Sequence, residues 1–155
     1  MKTLYKVLLM ALCVAVLASC DSEDIDDTYP EIQLLQPVNC DTAVVGNPLM
    51  VKALLTDNVE LGSYSIDIHH NFDHHNHTTE MVECVLSPKK SAVNPFNYIK
   101  GYEISPGLKE KEVTLHIDLP AAVDTGDYHL MLRLTDRAGW QSIKAISVKF
   151  IAEDK

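Results

Sequence analysis

The 155 residues carry 22 acidic against 13 basic side chains, a formal net charge of −9 with the histidines neutral. That length supports one domain with one core. The acidic balance argues against nucleic acid and anionic lipid headgroups as partners, because phosphate recognition depends on Lys and Arg, and it is compatible with attracting cations.

In chain order, MKTLYKVLLMALCVAVLASC comes first. Lys2 and Lys6 precede an apolar run from Val7 to Leu17, too short to span a bilayer, and small residues follow. This is the layout of a secretory signal over residues 1–19 rather than of a membrane span. Leu17-Ala18-Ser19-Cys20 resembles the lipobox of bacterial lipoproteins, in which the cysteine is lipidated and begins the mature chain. The resemblance implies a lipid anchor at Cys20, with two or more acyl chains giving stable membrane attachment. Loss of Lys2 and Lys6 would move the formal charge from −9 to −11.

Residues 21–27, DSEDIDD, hold five acids in seven positions. Such a run cannot bury enough apolar surface to fold, so residues 20–29 read as a solvated tether. The run also resembles the acidic export signal of surface-exposed Bacteroidota lipoproteins, although a plain flexible linker explains the same residues. With Cys13 in the signal and Cys20 lipidated, Cys40 and Cys84 remain. Parity in an exported chain points to a Cys40–Cys84 disulfide; a competing reading makes Cys84 a thiolate metal ligand near the histidines.

From residue 30 to 155 no long 3.6-residue period appears. Short alternating runs separated by turn residues predict an all-β sandwich of seven to eight strands with no helix after the signal. The expected strands are 31–37, 49–57, 63–70, 80–86, a weak one at 97–104, 112–120, 127–136 and 142–151. Residues 38–48 read as a loop with a short edge segment. In 63–70, Tyr64, Ile66 and Ile68 point inward and Ser65, Asp67 and His69 outward. DTGDYHL (124–130) matches the D-x-G-x-Y pattern of immunoglobulin domains, whose tyrosine hydroxyl bonds back to the preceding loop. That makes 127–136 strand F, with Leu130 where an antibody domain carries cysteine. The strand-ending Thr-Asp of TDRAGW is echoed in LLTDNVELGS by shared turn chemistry, and Trp140 is expected to cover one end of the sandwich.

Five of the seven histidines fall within HHNFDHHNH, residues 69–77. If Asn71-Phe72-Asp73 makes a hairpin loop, His70 faces His74, His69 faces His75 and Asp67 faces His77, with Cβ atoms about 4.5–5.5 Å apart. Alternation then gathers Asp67, His69, His75 and His77 on one exposed face. His129, outward on strand F, joins them. His70, His74 and Asp73 form a second candidate group at the sandwich end, and His116 points out of the opposite sheet as a bystander. Neutral imidazole is the commonest ligand of zinc, copper and nickel, so the expected cofactor is a transition-metal ion, zinc or copper first. His69, His75, His77 and His129 are the expected ligands, and Asp67 a ligand or orienter. A solvated histidine-rich turn and a pH switch are the blander readings of the tract. Catalysis is not expected, since no G-x-S-x-G, HExxH or paired-cysteine zinc motif is present and the nearby carboxylates lie in the same exposed hairpin.

GSYSIDIHHNFDHHNH, with the downstream GDYHL and TDRAGW, resembles a family of small Bacteroidota lipoproteins whose common domain has no known function. The resemblance covers nearly all of the chain after Cys20. It implies an immunoglobulin-like or fibronectin-III-like fold and a place in the bacterial cell envelope, on the outer membrane. The expectation is therefore a lipid-anchored, non-enzymatic protein for metal capture or delivery. The rival is a structural or adhesive module binding protein or glycan through its loops, with the histidines as a solvated turn.

Overall fold

A computed structural model describes residues 26–153. The signal segment, Cys20 and the acidic residues up to 25 lie outside the described residues. Eight strands follow: β1 (Glu31–Gln36), β2 (Asp41–Val44), β3 (Pro48–Thr56), β4 (Leu61–His70), β5 (Tyr98–Glu103), β6 (Glu110–Asp118), β7 (Gly126–Asp136) and β8 (Gln141–Ile151). The described residues contain no helix. A three-stranded sheet, β1-β3-β6, faces a five-stranded sheet, β2-β8-β7-β4-β5. β2 runs parallel to β8, while all other pairs are antiparallel. Splitting the first strand of an immunoglobulin-like sandwich between its two sheets produces this order, with β7 as strand F and β8 as strand G.

The core follows from alternation. Along β3, Leu49, Val51, Ala53 and Leu55 are buried; along β4, Tyr64, Ile66 and Ile68 are. β4 pairs with β7 so that Ile66 meets Leu132 and Ile68 meets Leu130. Each fully buried Leu or Ile contributes about 1.5–3 kcal/mol relative to an exposed one. Tyr128 is the expected corner. Its ring stacks on Phe150 at 4.0 Å, and its hydroxyl donates to the Asp124 carbonyl at 2.7 Å and accepts from the Phe96 amide at 3.2 Å.

Two expectations are overturned. Residues 80–86 form no strand, and no hairpin closes at Asn71-Phe72-Asp73. The β4 edge where such a hairpin would pair is taken instead by β5, with Asp67 opposite Ile99 and Ile68 opposite Tyr98. Residues 71–97 cross the outer face of β7 and β8 as irregular chain. That crossing is fixed at separate points: the Asn71 amide on the Asp127 carbonyl, the Thr79 amide on the Ala145 carbonyl, the Ser87 amide on the Asp127 carboxylate and the Asn39 side chain on the Val82 carbonyl. Cys84 forms a disulfide with Cys40, whose Cα lies 5.4 Å away just before β2. Its neighbours Met81, Val82 and Val85 stay exposed, so the apolar residues that suggested a strand have no sheet to pack on.

The crossing segment changes the burial of β7. Tyr128 and Leu130 face the core, and the intervening His129 faces outward, yet all three are buried. The same happens on β8, where Ala145 and Ile146 are buried in succession. A strand covered on both faces loses its simple alternation of exposure.

Candidate metal centre

Asp67, Ile68 and His69 lie near the end of β4, just before its final residue, His70. A strand turns alternate side chains to the same face, so Asp67 and His69 stand together on the outer side, with His69 Nδ1 2.8 Å from Asp67 Oδ1. The next strand over carries His129 directly opposite His69. The crossing segment then brings His75 and His77 over both. In that segment Asp73 and His75 repeat the Asp-x-His spacing of Asp67 and His69, with Nδ1 2.5 Å from Oδ1.

The four imidazoles form one packed group. His69 stacks on His75 at 5.4 Å, and His77 sits edge-on to both at 5.3 and 4.9 Å. The His129 ring lies 5.7, 5.2 and 5.5 Å from those of His69, His75 and His77. Ring nitrogens of His69, His75 and His77 all lie within 4.8 Å of one another. Nitrogens sharing one tetrahedral zinc at about 2.0–2.1 Å sit roughly 3.3 Å apart, which falls inside that limit.

Ionised carboxylates only accept hydrogen bonds, so His69 and His75 each donate Nδ1–H to the aspartate two residues before them. The tautomer fixed in this way leaves Nε2 with its lone pair, which is how a carboxylate behind an imidazole prepares it for a metal. The hydrogen bond from His75 holds the exposed Asp73 carboxyl below the usual carboxylate range.

His129 differs from the other three. Its Nε2–H donates to the His75 main-chain carbonyl at 3.0 Å, and its Nδ1 is buried without a partner. Expected as an exposed ligand, it is 1% exposed, because residues 71–97 cover its face. It holds the main chain of His75 over the sheet. Burial pushes its imidazole below the usual histidine range; the bond to the His75 carbonyl opposes that shift, and the facing rings of His75, His69 and His77 add to it.

A depressed pKa means that the folded state binds fewer protons than the unfolded chain, whose value is 6.5. His129 therefore contributes stability above about pH 6.5 that is lost as pH falls toward its folded value. In metal-free protein the urea midpoint is expected to drop between pH 7 and pH 5. His129→Gln, which keeps a donor for the His75 carbonyl, should flatten that slope; an unchanged slope would assign acid sensitivity to other groups.

The second expected group does not form. His74 takes a positive φ of 62° and its Nε2 bonds to the Ser87 carbonyl at 2.9 Å, while His70 packs on Phe72 at 4.8 Å. Asp73, assigned to that group, belongs with His75, and the repeated Asp-x-His spacing is the sequence signal that marks it. Cys84, tied to Cys40, has no thiolate to offer. His116 is exposed on β6 in the other sheet.

The fold and this cluster define an immunoglobulin-like sandwich that carries a histidine-lined site beneath a crossing loop. The chain belongs to the family of domains of unknown function DUF4625, matched over residues 18–151. No curated protein matches it. Among solved structures it is similar to the GspB Siglec domain, at 15% identity with a TM-score of 0.48, covering 84% of this chain and 61% of that one. It is also similar to Spo0M, the sporulation control protein from Bacillus subtilis, at 10% identity with a TM-score of 0.39, covering 81% of this chain and 49% of that one.

Proposed function

We propose that this protein is a lipoprotein of the bacterial cell envelope, anchored at Cys20, that binds a zinc or copper ion for capture or delivery. The observation that carries the reading is the convergence of His69, His75 and His77 within 4.8 Å. Two of the three imidazoles already have Nδ1 committed to an aspartate. His69, His75 and His77 are the ligands, Asp67 and Asp73 orient two of them, and His129 positions the chain that bears His75.

Three protein ligands leave a fourth zinc position for water or for a group on a partner. His77, the exposed member of the trio, gives an ion a way in and out. That suits exchange better than permanent structural binding. A hydrolytic role would require a free general base beside the ion, and both nearby carboxylates are engaged with histidines. The reading is therefore of a binding protein, not an enzyme.

Calorimetric titration of chelated full-length protein with zinc and with copper(II) tests it. The expected result is one ion per chain, bound more tightly than by a histidine tag with as many imidazoles. Protons compete for the same nitrogens, so affinity should fall away below about pH 6. Binding no tighter than that of the tag would refute the proposal and leave the tract as a solvated turn.

A further inference from the structure

The β4–β7 strand pair has a second group of ligating side chains at its other end. The turns after β3 and at the end of β7 both begin with Thr-Asp, at Asp57 and Asp136. In each, one carboxylate oxygen accepts two main-chain amides. Asp57 Oδ2 takes those of Val59 and Glu60 at 2.8 and 2.7 Å, and Asp136 Oδ1 takes those of Gly139 and Trp140 at 2.6 and 2.9 Å. The turns account for only half of each carboxylate. Asp57 Oδ1 and Asp136 Oδ2 are both shut off from solvent and have no hydrogen-bond partner, and Asp136 as a whole is only 4% exposed.

A third carboxylate comes from the chain before β1. The Trp140 indole N–H donates to the Asp26 carbonyl at 2.8 Å, and Tyr29 packs on the Trp140 ring at 4.9 Å. Asp26, Asp57 and Asp136 each then offer an oxygen within 4.8 Å of the other two. Among the described residues, no Lys, Arg or His forms an ion pair with any of them. Asp26 is partly exposed, and its Oδ1 accepts the Thr28 amide at 3.2 Å. The two buried oxygens of Asp57 and Asp136, however, without a partner or a cation beside them, are a costly arrangement.

We propose that Asp26, Asp57 and Asp136 form a calcium site that clamps the segment before β1 onto the turns after β3 and β7. All three donors are hard oxygens, which select calcium or magnesium over zinc and copper. Calcium accepts six to eight oxygens in flexible geometry, so three carboxylates from separate turns with water can complete its shell, whereas magnesium demands a near-ideal octahedron. The site is independent of the histidine cluster in both residues and chemistry.

Trp140 is the only tryptophan, so it reports on this end of the molecule alone. Chelated full-length protein is titrated with calcium chloride while tryptophan fluorescence and the melting midpoint are followed. The expected result is a saturable fluorescence change with a midpoint of about 10⁻⁵ to 10⁻³ M, and a melting midpoint several degrees higher. Asp136→Asn keeps an oxygen for the Gly139 and Trp140 amides and should weaken calcium binding at least about tenfold; Asp57→Asn is the second variant, with the same expectation. His77→Ala should respond as the unaltered protein does. No saturable change up to about 10 mM calcium, beyond the weakest range of protein sites, would overturn the proposal. So would an undiminished response in both asparagine variants.

Discussion

His77→Ala is expected to weaken zinc binding by more than 100-fold while leaving the fold intact. The side chain is exposed and makes no hydrogen bond among the described residues, so its loss as a purely structural change should stay within about 0.5 kcal/mol. As one of three ligands, however, it supplies a bond that water must replace. The loss should therefore exceed the roughly 10–100-fold that follows from altering a group behind a ligand. Asp67→Asn provides that comparison. An asparagine oxygen still accepts the His69 Nδ1–H but carries no charge to strengthen the imidazole as a donor, so a smaller loss is expected. Calorimetry and urea unfolding, run on both variants, separate affinity from stability. Equal affinity in His77→Ala and the unaltered protein would remove His77 from the site.

Removal of the Cys40–Cys84 bridge should have the largest effect on stability. The cysteines are 44 residues apart, and closing a loop of that length limits the unfolded chain by about 4 kcal/mol in the chain-entropy treatment. Against a typical total of about 5–15 kcal/mol, that is a large share. Cys40→Ala with Cys84→Ala should lower the urea midpoint sharply. The bridge is also the one covalent tie on the segment that carries His75 and His77, so zinc affinity should fall in the same variant. Saturating zinc should then restore part of the lost stability, because an ion that binds only the folded form favours it. If reductant leaves both the midpoint and the affinity unchanged, the bridge neither stabilises the sandwich nor holds the histidine segment.

The legible parts of the fold were those set by local periodicity. Alternation along residues 63–70 and 127–136 assigned the inward faces of β4 and β7, and with them the shared outer face of His69 and His129. The D-x-G-x-Y spacing located the Tyr128 corner. What failed was pairing over distance. A hairpin after His70 assumes that a strand pairs with the residues that follow it directly, whereas β4 takes β5, which begins only after 27 intervening residues. The histidines meet because an aperiodic segment is tied down by remote partners, Ala145, Asp127 and Cys40, which no window of sequence contains. For the same reason, His129 was read as exposed. Asp26 was hidden differently: within an acidic run it resembles every other solvated carboxylate until the contacts of Trp140 set it apart.

The register of β4 on β7 gives the molecule a direction. Leu61 lies opposite Asp136 at one end of the pair and His69 opposite His129 at the other. Eight residues of strand separate them, about 26 Å. The chain enters at the aspartate end, where Glu31 pairs with Thr56. Under the proposed anchoring at Cys20, the aspartate end would face the membrane and the imidazoles would lie at the far end. A truncation that includes residue 26 would remove one of the three carboxylates from the aspartate end.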